Sequence, residues 1–191
     1  MQTVIQESGN TTGTYSCGKK KKWNEVSNNM ESKQKRTALV TGGSSGIGRC
    51  TAAALSKAGY IVYEFSRRDV PVEDVKHMCV DVTDEASVQE AVGQILLERG
   101  SIEILVNCAG FGISGAVEFT ESEQAKAQFD VNFFGTVNVS RAVLPSMRRQ
   151  HSGHIVNISS VAAVAHIPFQ AFYSASKACL LYTSDAADEL D

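Results

Sequence analysis

The sequence has 191 residues, 43% of them apolar, enough for one domain with a sizeable core and too few for two. Its formal net charge of -3 gives no bulk electrostatic drive toward nucleic acid or an anionic membrane, so neither is an expected partner. Five scattered cysteines form no Cys-x-x-Cys pair or metal spacing, no stretch approaches the roughly 18 apolar residues of a membrane span, and no signal-peptide core opens the chain; a cytoplasmic protein without a metal site is expected.

Residues 1–36 are dominated by polar side chains and include the run Lys19 to Lys22. They read as a disordered leader, with the lysines a solvated tail rather than a tether, because so polar a segment buries too little apolar surface to offset ordering entropy. Met30 stands shortly before the first strand and is an alternative start. From Thr37 short apolar runs alternate with longer helical segments, the pattern of βαβ units and a parallel sheet.

In chain order the expected elements are a strand over Thr37 to Thr41, a helix over Ile47 to Ala58 stopped by Gly59, and a strand over Tyr60 to Ser66. A third strand covers His77 to Val80, and Thr83 is the expected cap of a helix reaching Arg99. A fourth strand spans Ile102 to Asn107. A long helix from Glu121 to Arg149 is expected to break near Pro145, then come a fifth strand from His154 to Ser159 and a helix near Phe172. His77, His151, His154 and His166 share no spacing with acids or cysteines and read as surface or strand-end residues.

The segment from Thr41 to Gly48, Thr-Gly-Gly-Ser-Ser-Gly-Ile-Gly, lies between the first strand and first helix. A tight turn there needs glycine, a pyrophosphate needs backbone without an obstructing Cβ, and a helix N-terminus offers free N–H groups. The candidate cofactor contacts are therefore Gly42, Ser44, Ser45, Gly46, Ile47 and Gly48. At the end of the second strand, where an acid would bind the ribose 2′-hydroxyl of NAD, stands Ser66, followed by Arg67 and Arg68. A guanidinium binds a 2′-phosphate that a carboxylate would repel, so NADP(H) is the preferred cofactor and NAD(H) the alternative. Arg67 is the first choice for that phosphate, with Ser45 or Ser66 assisting.

Tyr173 and Lys177 are four residues apart at the start of the last helix and share one face. A free tyrosine, with a pKa of about 10, is a poor base at neutral pH, and a nearby ammonium favours its phenolate.

The Thr-Gly-x-x-x-Gly-x-Gly loop, Asp81-Val82, Asn107-Cys108-Ala109-Gly110, Asn132, Ser160 and Tyr173-x-x-x-Lys177 occur in the order and spacing of the short-chain dehydrogenase/reductase family, which the chain resembles from about Thr37 to Ala178. The resemblance implies a Rossmann-type doubly wound α/β fold with a parallel sheet, and interconversion of a secondary alcohol and a carbonyl compound. It also implies that Asp81 and Val82 meet the adenine, and that Asn107, Ala109 and Gly110 support the central strand and approach the nicotinamide ribose. Tyr173 would exchange the proton, Lys177 would hold the ribose, Ser160, 13 residues before Tyr173, would bond the substrate oxygen, and Asn132 would hold a relay water. Cys108 stands where the family more often has Asn. Taken singly each of these residues has an ordinary structural explanation; the ordered set carries the reading.

After Ala178 the family pattern would continue much further, and the run from Cys179 to Glu189 matches a translated sequencing adapter residue for residue. The expectation is a Rossmann domain over 37–178, a foreign tail over 179–191 and a truncated product. Two readings follow: a working oxidoreductase, homodimeric or homotetrameric when complete, or an inactive nucleotide-binding fragment. Apolar Ala163, Val164, Ile167 and Phe169 favour an apolar substrate.

Overall fold

The computed structural model describes residues 36–185. The leader assigned to residues 1–36 and the end of the assigned tail lie essentially outside them.

Strands β1 (Thr37–Thr41), β2 (Ile61–Ser66), β3 (Val75–Cys79), β4 (Ile104–Asn107) and β5 (His154–Asn157) form one sheet in the order β3-β2-β1-β4-β5. All four pairings are parallel, with Leu39 opposite Tyr63 and Leu105 in register. Successive side chains leave a strand on opposite faces, and both faces are covered. Leu39, Tyr63, Phe65 and Leu105 pack with Val88, Val92, Ile95, Val139 and Val143 of helices α2 (Glu85–Arg99) and α4 (Gly135–Gln150). Ala38, Val40, Val62 and Val106 pack on the other face with Ala52 and Leu55 of α1 (Gly46–Lys57). The fold is the expected doubly wound parallel α/β sheet, whose chain order reverses between β1 and β4; the crevice at such a switch point is where ligands bind.

Several boundaries differ from the sequence reading. β3 begins two residues early, and β4 begins at Ile104, although Ile102 is fully buried beside it. The cap of α2 is Asp84, whose carboxylate accepts from Ala86 and Ser87 N–H, while Thr83 turns its hydroxyl to Asp81. Either residue type caps well; the extended backbone at Asp84 decides.

The long helix runs through Pro145 unbroken. Pro145 and Arg141, the residue four before it, both lie on the exposed side, where solvent satisfies the carbonyl that proline leaves unpaired. The irregularity falls instead at Asp130–Phe134, a widened π turn between α3 (Ser122–Phe129) and α4. There Gly135 lies so close to Val82 that a Cβ would stand 2.6 Å from its Cγ2. Helix α5 (Ala171–Asp185) follows β5.

Candidate active site

One cleft of about 790 Å³ opens at the carboxyl ends of β1, β2 and β4. The glycine loop forms its floor. Gly42 has φ +71°, and a Cβ there would lie 2.9 Å from Ala109 Cα; a Cβ on Gly48 would lie 2.4 Å from the Gly42 carbonyl oxygen. Both positions therefore exclude side chains by contact with rigid backbone. Ser45 makes no side-chain cap to α1, whose first turn holds no acid, so the N–H groups and positive end of the helix are available to an anion. Thr41, not singled out from the sequence, fixes the opposite wall. Its Oγ1 accepts from the N–H groups of Cys108 (3.1 Å) and Ala109 (3.0 Å), joining β1 to the loop after β4.

Of the residues expected to meet the cofactor, Gly42, Ser44, Ser45, Gly46, Ile47, Gly48, Ser66, Arg67, Asp81, Val82, Ala109, Gly110, Tyr173 and Lys177 all line this cleft. Asn107 does not. It is buried, and its Nδ2 donates to Asn157 Oδ1 (2.9 Å) and Ser140 Oγ (3.2 Å), tying β4 to β5 and α4. Arg68 joins Arg67 in the lining and brings Nη2 within 3.5 Å of Ser44 Oγ. Asp81 is both turn former and cleft residue. Burial alone would raise its pKa, but the Thr83 N–H and hydroxyl and the Arg67 guanidinium, 3.8 Å away, outweigh it and hold the carboxyl below its ordinary value.

At the other end, the Tyr173 ring lies at ordinary contact distance from where a Gly112 Cβ would stand, and Lys177 is buried with Nζ donating to Ile158 O at 2.8 Å. Burial pushes the Lys177 pKa down and the Cys108 thiol up, and each partly counters the other. Gly110 faces both Lys177 Nζ and Asn132 Oδ1, leaving no room for a side chain between them.

Asn132 and Ser160 were expected at the reacting centre. Asn132 is fully buried behind it in the π turn: its side chain bonds the Phe111 backbone and donates to Ser176 Oγ, which donates to Tyr173 O. Its own carbonyl accepts from Thr136 Oγ1. Ser160 is half-buried next to the lining residue Ser159, and its Oγ accepts from Ala162 N–H at 3.2 Å. Ser159 donates instead to Lys177 O.

The histidines need one correction. His77 is no surface residue but pairs through Nδ1 with Glu64, which is fully buried. The two meet only because β2 and β3 align Glu64 with His77. Among the described residues no helix is long and apolar enough to cross a membrane, and no group of three or more His, Cys, Asp or Glu could hold a metal.

Comparison with known proteins agrees with this architecture. A 3-ketodihydrosphingosine reductase of Bacteroides thetaiotaomicron is 49% identical over 147 residues, covering 75% of this chain and 54% of the relative. The solved structure of a short-chain dehydrogenase from Streptomyces avermitilis superposes with a TM-score of 0.77 at 34% identity, over 81% of this chain and 60% of that one. The structure of ElxO with NADP bound gives a TM-score of 0.76 at 29% identity, over 81% and 67%. The chain thus spans about half the length of that reductase. Residues 36–191 match the short chain dehydrogenase family, to which this chain belongs.

Proposed function

We propose that the chain carries the cofactor cleft and the acid/base residues of an NADP(H)-preferring oxidoreductase that interconverts a secondary alcohol and a ketone. The single observation that carries this reading is that the uncapped glycine loop, two arginines at the end of β2, and the pair Tyr173 and Lys177 all line one cleft. The residues fit the nucleotide: the glycines leave a cradle that a Cβ would fill, and Arg67, 71% exposed, is free to turn from Asp81 to a 2′-phosphate. Bound NADP(H) supplies or accepts the hydride at the carbinol carbon.

Tyr173 gives a proton to the carbonyl oxygen in reduction and takes it back in oxidation. Lys177, held by Ile158 O, presents its ammonium to the ribose hydroxyls beside Tyr173. Ser160 donates its hydroxyl hydrogen to the reacting oxygen while its Oγ accepts from Ala162 N–H. Asn132 serves through its backbone carbonyl, its side chain being engaged with Phe111. Exposed Val164, Ile167 and Phe169 beside α5 favour an apolar substrate, and the substrate named for the Bacteroides relative, 3-ketodihydrosphingosine, is the first ketone to assay.

The test is NADPH-dependent turnover of a ketone panel by purified protein and by Y173F. Turnover by the wild type and binding without turnover by Y173F support the reading. Nucleotide binding without turnover by the wild type supports the alternative of a binding fragment. Equal affinity for NADPH and NADH in wild type and Arg67→Asp overturns the cofactor preference.

A further inference from the structure

A carboxylate lies directly behind the phosphate loop. Glu64, fully buried in β2, is aligned with Val40 of β1 and His77 of β3. Its Oε1 pairs with His77 Nδ1 and lies 3.2 Å from Ser66 Oγ. Its Oε2 has no hydrogen-bond partner among the described residues, and neither has His77 Nε2. A Cβ on Gly43 would stand 2.6 Å from that Oε2, so the carboxylate packs against the backbone of the glycine loop itself.

The contacts continue toward the cleft. Ser66 Oγ is 2.9 Å from the Arg68 carbonyl, and Arg68 Nη2 reaches Ser44 Oγ. Ser66, Arg68 and Ser44 line the cleft; Glu64 and His77 do not. The other charged pair at this end, Arg67 and Asp81, faces the cleft directly.

An unpaired buried carboxylate is costly, and here it would also place negative charge behind the loop that is to receive phosphates. His77 Nδ1, paired with Glu64 Oε1, is the group placed to offset that charge. We propose that His77 is a positioning residue for the cofactor: by pairing with Glu64 it offsets the charge behind the glycine loop. Nucleotide selectivity then depends on two residues outside the cleft. NADP(H) feels the change more than NAD(H), because it carries an additional phosphate. This inference rests on the NADP(H) reading of the cleft.

Dissociation constants for NADPH and NADH, measured by nucleotide fluorescence on wild type, H77Q, E64Q and the double variant, test it, with circular dichroism reporting the fold. H77Q leaves the carboxylate uncompensated and is expected to weaken NADPH at least tenfold and NADH threefold or less. E64Q and the double variant lack the buried carboxylate and are expected to bind both nucleotides within threefold of wild type. H77K keeps a positive group against Glu64 and is expected to retain wild-type selectivity; loss of selectivity in folded H77K overturns the charge assignment even where H77Q does not fold. Unchanged NADPH affinity in H77Q, equal losses for both nucleotides, or a double variant as weak as H77Q overturns the inference alone. A wild type that binds neither nucleotide, or prefers NADH, overturns the cofactor reading and the inference with it.

Discussion

The Asn132 side chain grips the Phe111 backbone by both its polar groups: Oδ1 accepts from the N–H and Nδ2 donates to the C=O, each at 2.9 Å. The amide thus does for the loop after β4 what a neighbouring strand would do. Through Ser176 it also reaches the first turn of α5, so the π turn, the loop and the helix bearing Tyr173 and Lys177 meet at one buried side chain.

Asn132→Leu, similar in size but without hydrogen bonds, is expected to destabilise the fold by about 2–4 kcal/mol, because it removes both bonds to the Phe111 backbone and the bond to Ser176 from a fully buried position. Gln128 Nε2 still reaches the Phe111 carbonyl, which limits the loss. Urea unfolding of the two proteins measures it, and coincident midpoints would refute the role.

Gly48→Ala puts a Cβ 2.4 Å from the Gly42 carbonyl oxygen, a backbone atom that yields only if the loop moves. A loss of roughly 1–3 kcal/mol of stability is expected from such overpacking, together with more than tenfold weaker NADPH binding. Gly93→Ala is the contrast: it lies inside α2 with nothing within 4 Å of the new Cβ, and should gain about 0.5–1 kcal/mol. Equal behaviour of the two variants in melting experiments would contradict this assignment.

Burial holds Lys177 below the ordinary lysine value of 10.5, which makes the folded state the weaker proton binder. Unfolding therefore takes up protons between the lowered value and 10.5, and the burial penalty fades as pH rises through that window. The stability of wild type relative to Lys177→Met should accordingly increase with pH there, and turnover should be lost in the variant. A pH-independent difference in denaturation midpoints would show that the amine is not desolvated.

Asp81 behaves oppositely. Its carboxyl is held below 3.8 despite burial, so its stabilising contacts with Thr83 and Arg67 are fully present above that value and lost as pH falls through the folded one. With its side chain 39% exposed, the contribution is screened and small. Acid titration followed by circular dichroism should find wild type ahead of Asp81→Asn above pH 4 and the two converging below. Parallel curves throughout would remove Asp81 from the acid response.

Much of the cleft was legible because its residues sit where local chemistry permits few alternatives. Gly42 and Gly48 stand between a strand and a helix, where only glycine escapes backbone contact, and Tyr173 and Lys177 share a helix face through their spacing alone. The reading failed where two signals had similar local strength. Thr83 and Asp84 can both cap a helix, and Pro145 breaks a helix only where its freed carbonyl cannot reach solvent.

By itself the sequence determined the alternation of strands and helices, the parallel sheet and the residue types of the cleft, because these depend on periodicity and on neighbours within a few positions, while the doubly wound class followed from the family resemblance. The tertiary structure alone decided the strand order β3-β2-β1-β4-β5, the tie from Thr41 to Cys108 and Ala109, the clamp of Asn132 on Phe111, and the burial of Glu64 against His77. Each of these joins residues 13 or more positions apart, which meet through sheet register or packing rather than through any local preference of the chain.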